Sequence, residues 1–145
     1  MFLDFLDRYR EFGPFFIRIA LGLVMIGHGS QKLFGAFGGG GLSGTAEFFN
    51  QIGIAPGLFW ATIVAVVETF GGLFVLIGFL TRFASIFIGM TMFVAMTWVH
   101  LQNGFFLSSR GIEFTLVLFC MAVTLTLVGP GRVSVESMLK SSRST

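Results

Sequence analysis

The chain has 145 residues, 54% of them hydrophobic and 11% charged, and 20 are phenylalanine. Soluble domains run at roughly 45–50% apolar and about 25% charged, so a soluble fold of this size could hardly bury such a load. The net charge of +2 is spread out rather than clustered, which speaks against a nucleic-acid surface. The single cysteine, Cys120, permits neither an internal disulfide nor a dithiol cycle. Asp4, Asp7 and Glu11 precede the first apolar run, where a cleaved leader would carry bases, so no cleaved signal peptide is expected.

In chain order, four runs approach the ~20 apolar residues that a spanning helix needs. They cover about 14–34, 58–80, 83–101 and 112–129. Backbone polar groups find no water in lipid, so each should be helical. Pro14 suits a helix start, where its missing N–H costs nothing. The fourth run is the shortest, and a re-entrant or interfacial segment is its alternative. The first link, 35–57, holds four consecutive glycines from Gly38 to Gly41. Thr45 then reads as an N-cap, and Gly53 and Pro56 as a stop. A short amphipathic helix at the interface is expected between them, with Phe48, Phe49 and Ile52 dipping into lipid. A tight turn is expected at Thr81-Arg82, and another at Asn103-Gly104. The tail, 132–145, reads as frayed or interfacial. The expected fold is therefore all-α: one transmembrane domain over 1–145, a four-helix bundle with a short interfacial helix in its first outer loop.

An even number of spans places both termini on one side. Arg8, Arg10, Arg82, Arg132, Lys140 and Arg143 fall there, against Lys32 and Arg110 opposite. The positive-inside bias then makes both termini cytoplasmic, in a cell membrane.

Ionisable groups inside spans are the informative residues, because each costs about 2.5–3.5 kcal/mol at mid-helix and normally faces the bundle interior. At about 100° per residue, Arg18, His28 and Lys32 fall within an arc of about 80°. Gly22, Met25 and Gly29 share that face, which suits close helix packing, while Gln31 points elsewhere. Glu68 lies halfway along the second run, on a small-residue stripe with Ala61, Ala65 and Gly72. An apolar site keeps such a carboxyl neutral unless a cation compensates, and Arg18 from one side or His28 from the other could do so; the alternative is a structural carboxylate, neutral or paired with a cation of the first run, that holds the bundle together. Ser85, Gly89, Met92 and Met96 form a packing stripe that ends at His100. Glu113 opens the fourth run, where it complements the helix N-terminus. Cys120 reads as a small buried hydrophobe. Together these groups could converge on one outward-opening polar pocket. Their spacing is not a compact metal motif, so no metal is expected.

These residues also carry a resemblance. Arg18-x-x-Leu21-Gly22, then Gly27-His28-Gly29-x-Gln31-Lys32-Leu33-Phe34-Gly35, resembles the opening of the DoxX family. Gly44-Thr45, Phe48-Phe49, Gly53-Ile54-x-Pro56-Gly57, Glu68-x-x-Gly71-Gly72-Leu73 and Gly78-x-x-Thr81-Arg82 continue it. His100-x-x-Asn103-Gly104-Phe105-Phe106, Gly111-x-Glu113-Phe114 and Gly129-Pro130-Gly131 end it. The resemblance implies a small four-helix bacterial membrane protein. It also implies kinship to a subunit of a thiosulfate–quinone oxidoreductase.

The expected function is a quinone-linked redox subunit whose electrons come from a partner protein. Glu68 or His28 would exchange protons with the quinone oxygens. Arg18 or Lys32 would stabilise negative charge on the reduced form, with His100 and Glu113 completing the pocket. One alternative is a non-enzymatic subunit that anchors redox partners, with a structural polar set. The other is a small transporter or proton pathway, for which four helices enclose little space unless the chain forms a homo-oligomer.

Overall fold

A computed structural model describes residues 7–142 of the chain. Asp4 and Arg143, used above for the leader and for sidedness, lie outside the described residues. The described residues are helical throughout their ordered elements, with no strand. The long helices are α1 (Gly13–Phe34), α3 (Gly57–Ile77), α4 (Thr81–Asn103) and α5 (Glu113–Val128), joined by a short α2 (Gly41–Gln51) and followed by α6 (Val135–Ser142). The α1, α3 and α4 segments are long and apolar enough to cross a membrane, and α5 is a shorter apolar helix. The large apolar side chains on the outside bear this out. Phe16, Phe87, Phe93, Val117 and Leu127 are each at least half exposed, which only a lipid surround tolerates on this scale. The protein is an all-α, multi-pass membrane bundle.

Helix ends dominate the architecture, because the last carbonyls of each helix lack intrahelical donors. At the end of the bundle where the termini lie, Arg18 supplies those donors. Its guanidinium donates to the Val75 and Leu76 carbonyls at 2.8 Å each, closing the end of α3. It also donates to the carbonyls of Pro130 at 2.9 Å and Val133 at 2.5 Å, which fixes the segment between α5 and α6. Arg82 does the same for α5, donating to Thr126 and Leu127 at 2.6 and 2.7 Å. Glu136 of α6 accepts from the Thr81 N–H at 2.7 Å and so caps the start of α4. The tail forms a docked helix over 135–142, where the sequence suggested a frayed or interfacial segment; its order comes from this cap and from the Glu136 N–H bond to the Gly78 carbonyl.

The α1–α3 contact is close. A Cβ on Gly22 would lie 2.8 Å from Leu76 Cβ and 2.9 Å from the Gly72 carbonyl oxygen. The core beside it is Leu21, Met25, Val75, Ile88, Ala122 and Leu125, drawn from all four long helices.

Four local expectations change. The turn between α3 and α4 is at Gly78–Leu80, with Gly78 at φ +74°, and the Phe79 N–H reaching back to the Phe74 carbonyl at 2.9 Å. That is a Schellman-type stop, so Thr81 and Arg82 already belong to α4. Thr45 is no N-cap: α2 begins at Gly41, and the Thr45 hydroxyl bonds back to the Gly41 carbonyl at 2.8 Å. Phe49 does not dip into lipid. It is buried against Ala46 and Ala61, with Ile52 packed on the same cluster, while Phe48 stays exposed. Cys120, expected buried, is exposed on the outer face of α5.

Replacing Arg18 with Met should lower the unfolding free energy by at least about 3 kcal/mol, given about 1.5–3 kcal/mol for each charged hydrogen bond. Thermal unfolding in mild detergent reads this, and a melting temperature unchanged from wild type would mean that the Arg18 bonds do not hold this end of the bundle.

Candidate functional site

Glu68 sits in a five-residue π-helical segment, Val67–Gly71, within α3. Such wide turns are frequent at functional sites, since they rotate one side chain out of helical register. The result here is a carboxylate 2% exposed, facing α1. Its partner is Lys32, whose Nζ lies 2.5 Å from Glu68 Oε2. The sequence pointed to Arg18 or His28 for this role. Arg18 is committed to the carbonyls at the opposite end, and Lys32 has the stem length to reach down from the last turn of α1. Lys32 retains 27% side-chain exposure against 3% for Glu68, so the pair is half open at the end away from the termini, hereafter the loop end.

The approach of α1 to this segment is again set by glycine. A Cβ on Gly29 would collide with the backbone of Thr69. The Thr69 hydroxyl oxygen next to Glu68 is buried without a hydrogen-bond partner among the described residues.

One turn before Lys32 stands His28, on the same face at i, i+4. It lies within electrostatic reach of both Lys32 and Glu68. The ring does not face the bundle interior. It lines a surface cleft of about 280 Å³ between α1 and α5, together with Leu23, Gly27, Gln31, Phe37 and Phe114. The Phe114 ring packs 5.8 Å from the His28 ring. Gln31, read as pointing elsewhere, shares this cleft with His28 because the two are three residues apart on one helix face. The glycine run explains the cleft's floor. A Cβ on Gly39 would lie 2.6 Å from the Gln31 Cα, so only glycine lets the link fold back over this turn and place Phe37 at the rim.

The remaining polar residues form a separate unit. His100 Nδ1 is 2.7 Å from the Arg110 carbonyl, and Glu113 Oε2 accepts from the Leu107 N–H at 2.8 Å. Both side chains thereby satisfy the backbone of the 102–111 loop. The structure thus gathers Lys32, Glu68 and His28, and gives Arg18, His100 and Glu113 backbone carbonyls and amides to hold. Among the described residues, no group of three or more His, Cys, Asp or Glu is placed to hold a metal.

The family model described as DoxX matches residues 13–101, which include the Lys32–Glu68 pair and His28. A Bacillus subtilis (strain 168) protein named "Putative oxidoreductase CatD" is 29% identical over 119 residues, covering 82% of this chain and 81% of the relative. No solved structure matches the chain.

Breaking the buried pair from one side should destabilise the bundle by about 3–5 kcal/mol, because it strands a charge. Lys32→Met alone is expected to show that loss. Lys32→Met combined with Glu68→Gln should recover most of it. A double variant no more stable than the single one would mean that the pair is not the source of the effect.

Proposed function

The chain belongs to the DoxX family, and from that premise we propose that it is a quinone-linked redox subunit of the cell membrane, with both termini in the cytoplasm and its electrons supplied by a partner protein. The observation that carries the reading is the composition of the α1–α5 cleft. It is an apolar slot at the surface of a membrane bundle, with two polar side chains, His28 and Gln31, among aromatic and aliphatic walls. Among the described residues neither of the two makes a hydrogen bond to another protein group.

A quinone head group is a flat apolar ring with two acceptor oxygens and a lipid-soluble tail. The cleft suits it on three counts. Phe114 and Phe37 offer ring faces for stacking. The Gln31 amide and the His28 ring N–H offer donors to the oxygens. The cleft opens on the outer face of the helices, where a lipid-soluble molecule arrives from the side. His28 is six residues from the end of α1, or about 9 Å along the helix axis, so the head group would rest near the membrane surface.

Reduction of a quinone takes two electrons and two protons. In this reading His28 touches the oxygen and transfers protons, as an imidazole can near neutral pH. The Lys32–Glu68 pair stands one turn behind it as a second exchange station. The neighbouring ammonium also favours negative charge in the cleft. The name of the Bacillus relative agrees with the reaction class.

Mass spectrometry of protein purified in gentle detergent tests this. Stoichiometric quinone is expected in wild type, with depletion in His28→Phe and a smaller depletion in Glu68→Gln. Bulk lipid alone in the wild-type sample would sink the redox reading and favour a membrane anchor for redox partners.

A further inference from the structure

We infer that the Lys32–Glu68 pair exchanges protons with one side of the membrane only, the side of the Gly35–Gly41 link and the 102–111 loop, and that Lys32 is the residue through which they arrive. The inference deepens the reading above and rests on it only for what the protons are used for. The sidedness itself stands on packing.

On the loop side the path is short. Lys32 lies two residues from the end of α1, about 3 Å along the axis, so its stem reaches the edge of the bundle. The side chain is 27% exposed while its ammonium holds a carboxylate that is 3% exposed. A long, flexible side chain that holds a buried acid so close to the edge of the bundle can swing its ammonium out, exchange a proton with water and return.

Towards the termini the bundle is closed. The seam contacts set the depth: Gly29 meets Thr69, Gly72 meets Met25, and Gly22 meets Leu76. Below the pair, therefore, come Met25 and Gly72, then Leu21 and Val75. Ile88 closes from α4 at the level of Gly71, its side-chain carbons about where a Gly71 Cβ would touch them at 3.4–3.5 Å. Leu21, Met25, Val75, Ile88 and Leu125 are each at most 1% exposed. At the α1–α3 seam these contacts leave no room for a file of water, and the cleft between α4 and α5 beside Ser85 and Gly89 has almost wholly apolar walls. The buried hydroxyls of Ser85 and Thr81 lie three and seven residues beyond Ile88, on the far side of this layer. Arg18 then plugs the terminal end with its carbonyl bonds.

Single-cysteine variants in a Cys120→Ser background test the inference. Lys32→Cys, Ser108→Cys at the loop end and Lys140→Cys at the terminal end would be treated with a membrane-impermeant maleimide, in right-side-out and in inverted membrane vesicles. Lys32→Cys should label wherever Ser108→Cys labels and lose labelling wherever Lys140→Cys labels. Labelling that follows Lys140→Cys, or that occurs in both vesicle types, would overturn the inference. Should Lys32→Cys fail to fold, wild-type protein in liposomes under an acid pulse decides the matter. Proton flux equal to that of protein-free vesicles is expected, and a faster flux overturns it. Absence of bound quinone would leave these outcomes unchanged and would count against the redox reading alone.

Discussion

A helix in lipid cannot leave its last carbonyls to water, and at the terminal end of this bundle that demand is met chiefly by one side chain. Arg18 closes α3 and the link to α6 at once, with donors on three of its nitrogens. Guanidinium is suited to this, being planar, permanently charged and able to spread donors over several acceptors. Arg82 repeats the solution for α5, and Glu136 provides the acidic counterpart for the start of α4. With that end fixed by charge-assisted bonds, the α1–α3 seam can be built of glycine at very close approach, and the register between Lys32 and Glu68 follows from it.

The two ends of the bundle therefore divide the work. At the terminal end Arg18, Arg82 and Glu136 hold backbone and are consumed in doing so. At the loop end two sets stand apart from the exposed Glu47 and Arg110. His100 and Glu113 hold the 102–111 loop, while Lys32, Glu68 and His28 bond to no backbone and remain as a chemical group. This separation is why a chain with charged residues along most of its length offers a single small constellation suited to chemistry.

Much of this was legible in the sequence, because apolar run length and the 3.6-residue period are local. The four helices and the small-residue stripe around Glu68 follow from spacing, whereas His28, at the edge of the arc it shares with Arg18 and Lys32, turns to the cleft with Gln31. The partners did not. Arg18 bonds to carbonyls 57 to 115 residues away, and a carbonyl has no residue type to betray it. Choosing Lys32 over Arg18 for Glu68 needs relative depth, which depends on the seam. Phe49 was misplaced because an amphipathic helix looks the same whether it covers lipid or a neighbouring helix. Cys120 was misplaced because a small apolar side chain in a membrane is as much at home outside as inside. The order of the tail rests on the Glu136 carboxylate finding the Thr81 N–H and on backbone bonds to distant residues, and nothing in the sequence marks these.

The unequal lengths of α1 and α5 bear on the lipid itself. The 22 residues of α1 and the 16 of α5 give helices of about 33 and 24 Å. Because Phe114, the second residue of α5, touches His28, the shortfall lies at the loop end, beside the cleft. The exposed Phe105, Phe106 and Leu107 of the compact 102–111 loop give that step an apolar surface. Acyl chains meeting such a step must shorten or tilt to cover it, at a modest cost for each ångström. The annulus of lipid around the molecule is then uneven, with its headgroups drawn down where α5 begins. At that depression a molecule dissolved in the hydrocarbon and a proton dissolved in water come nearest to one another.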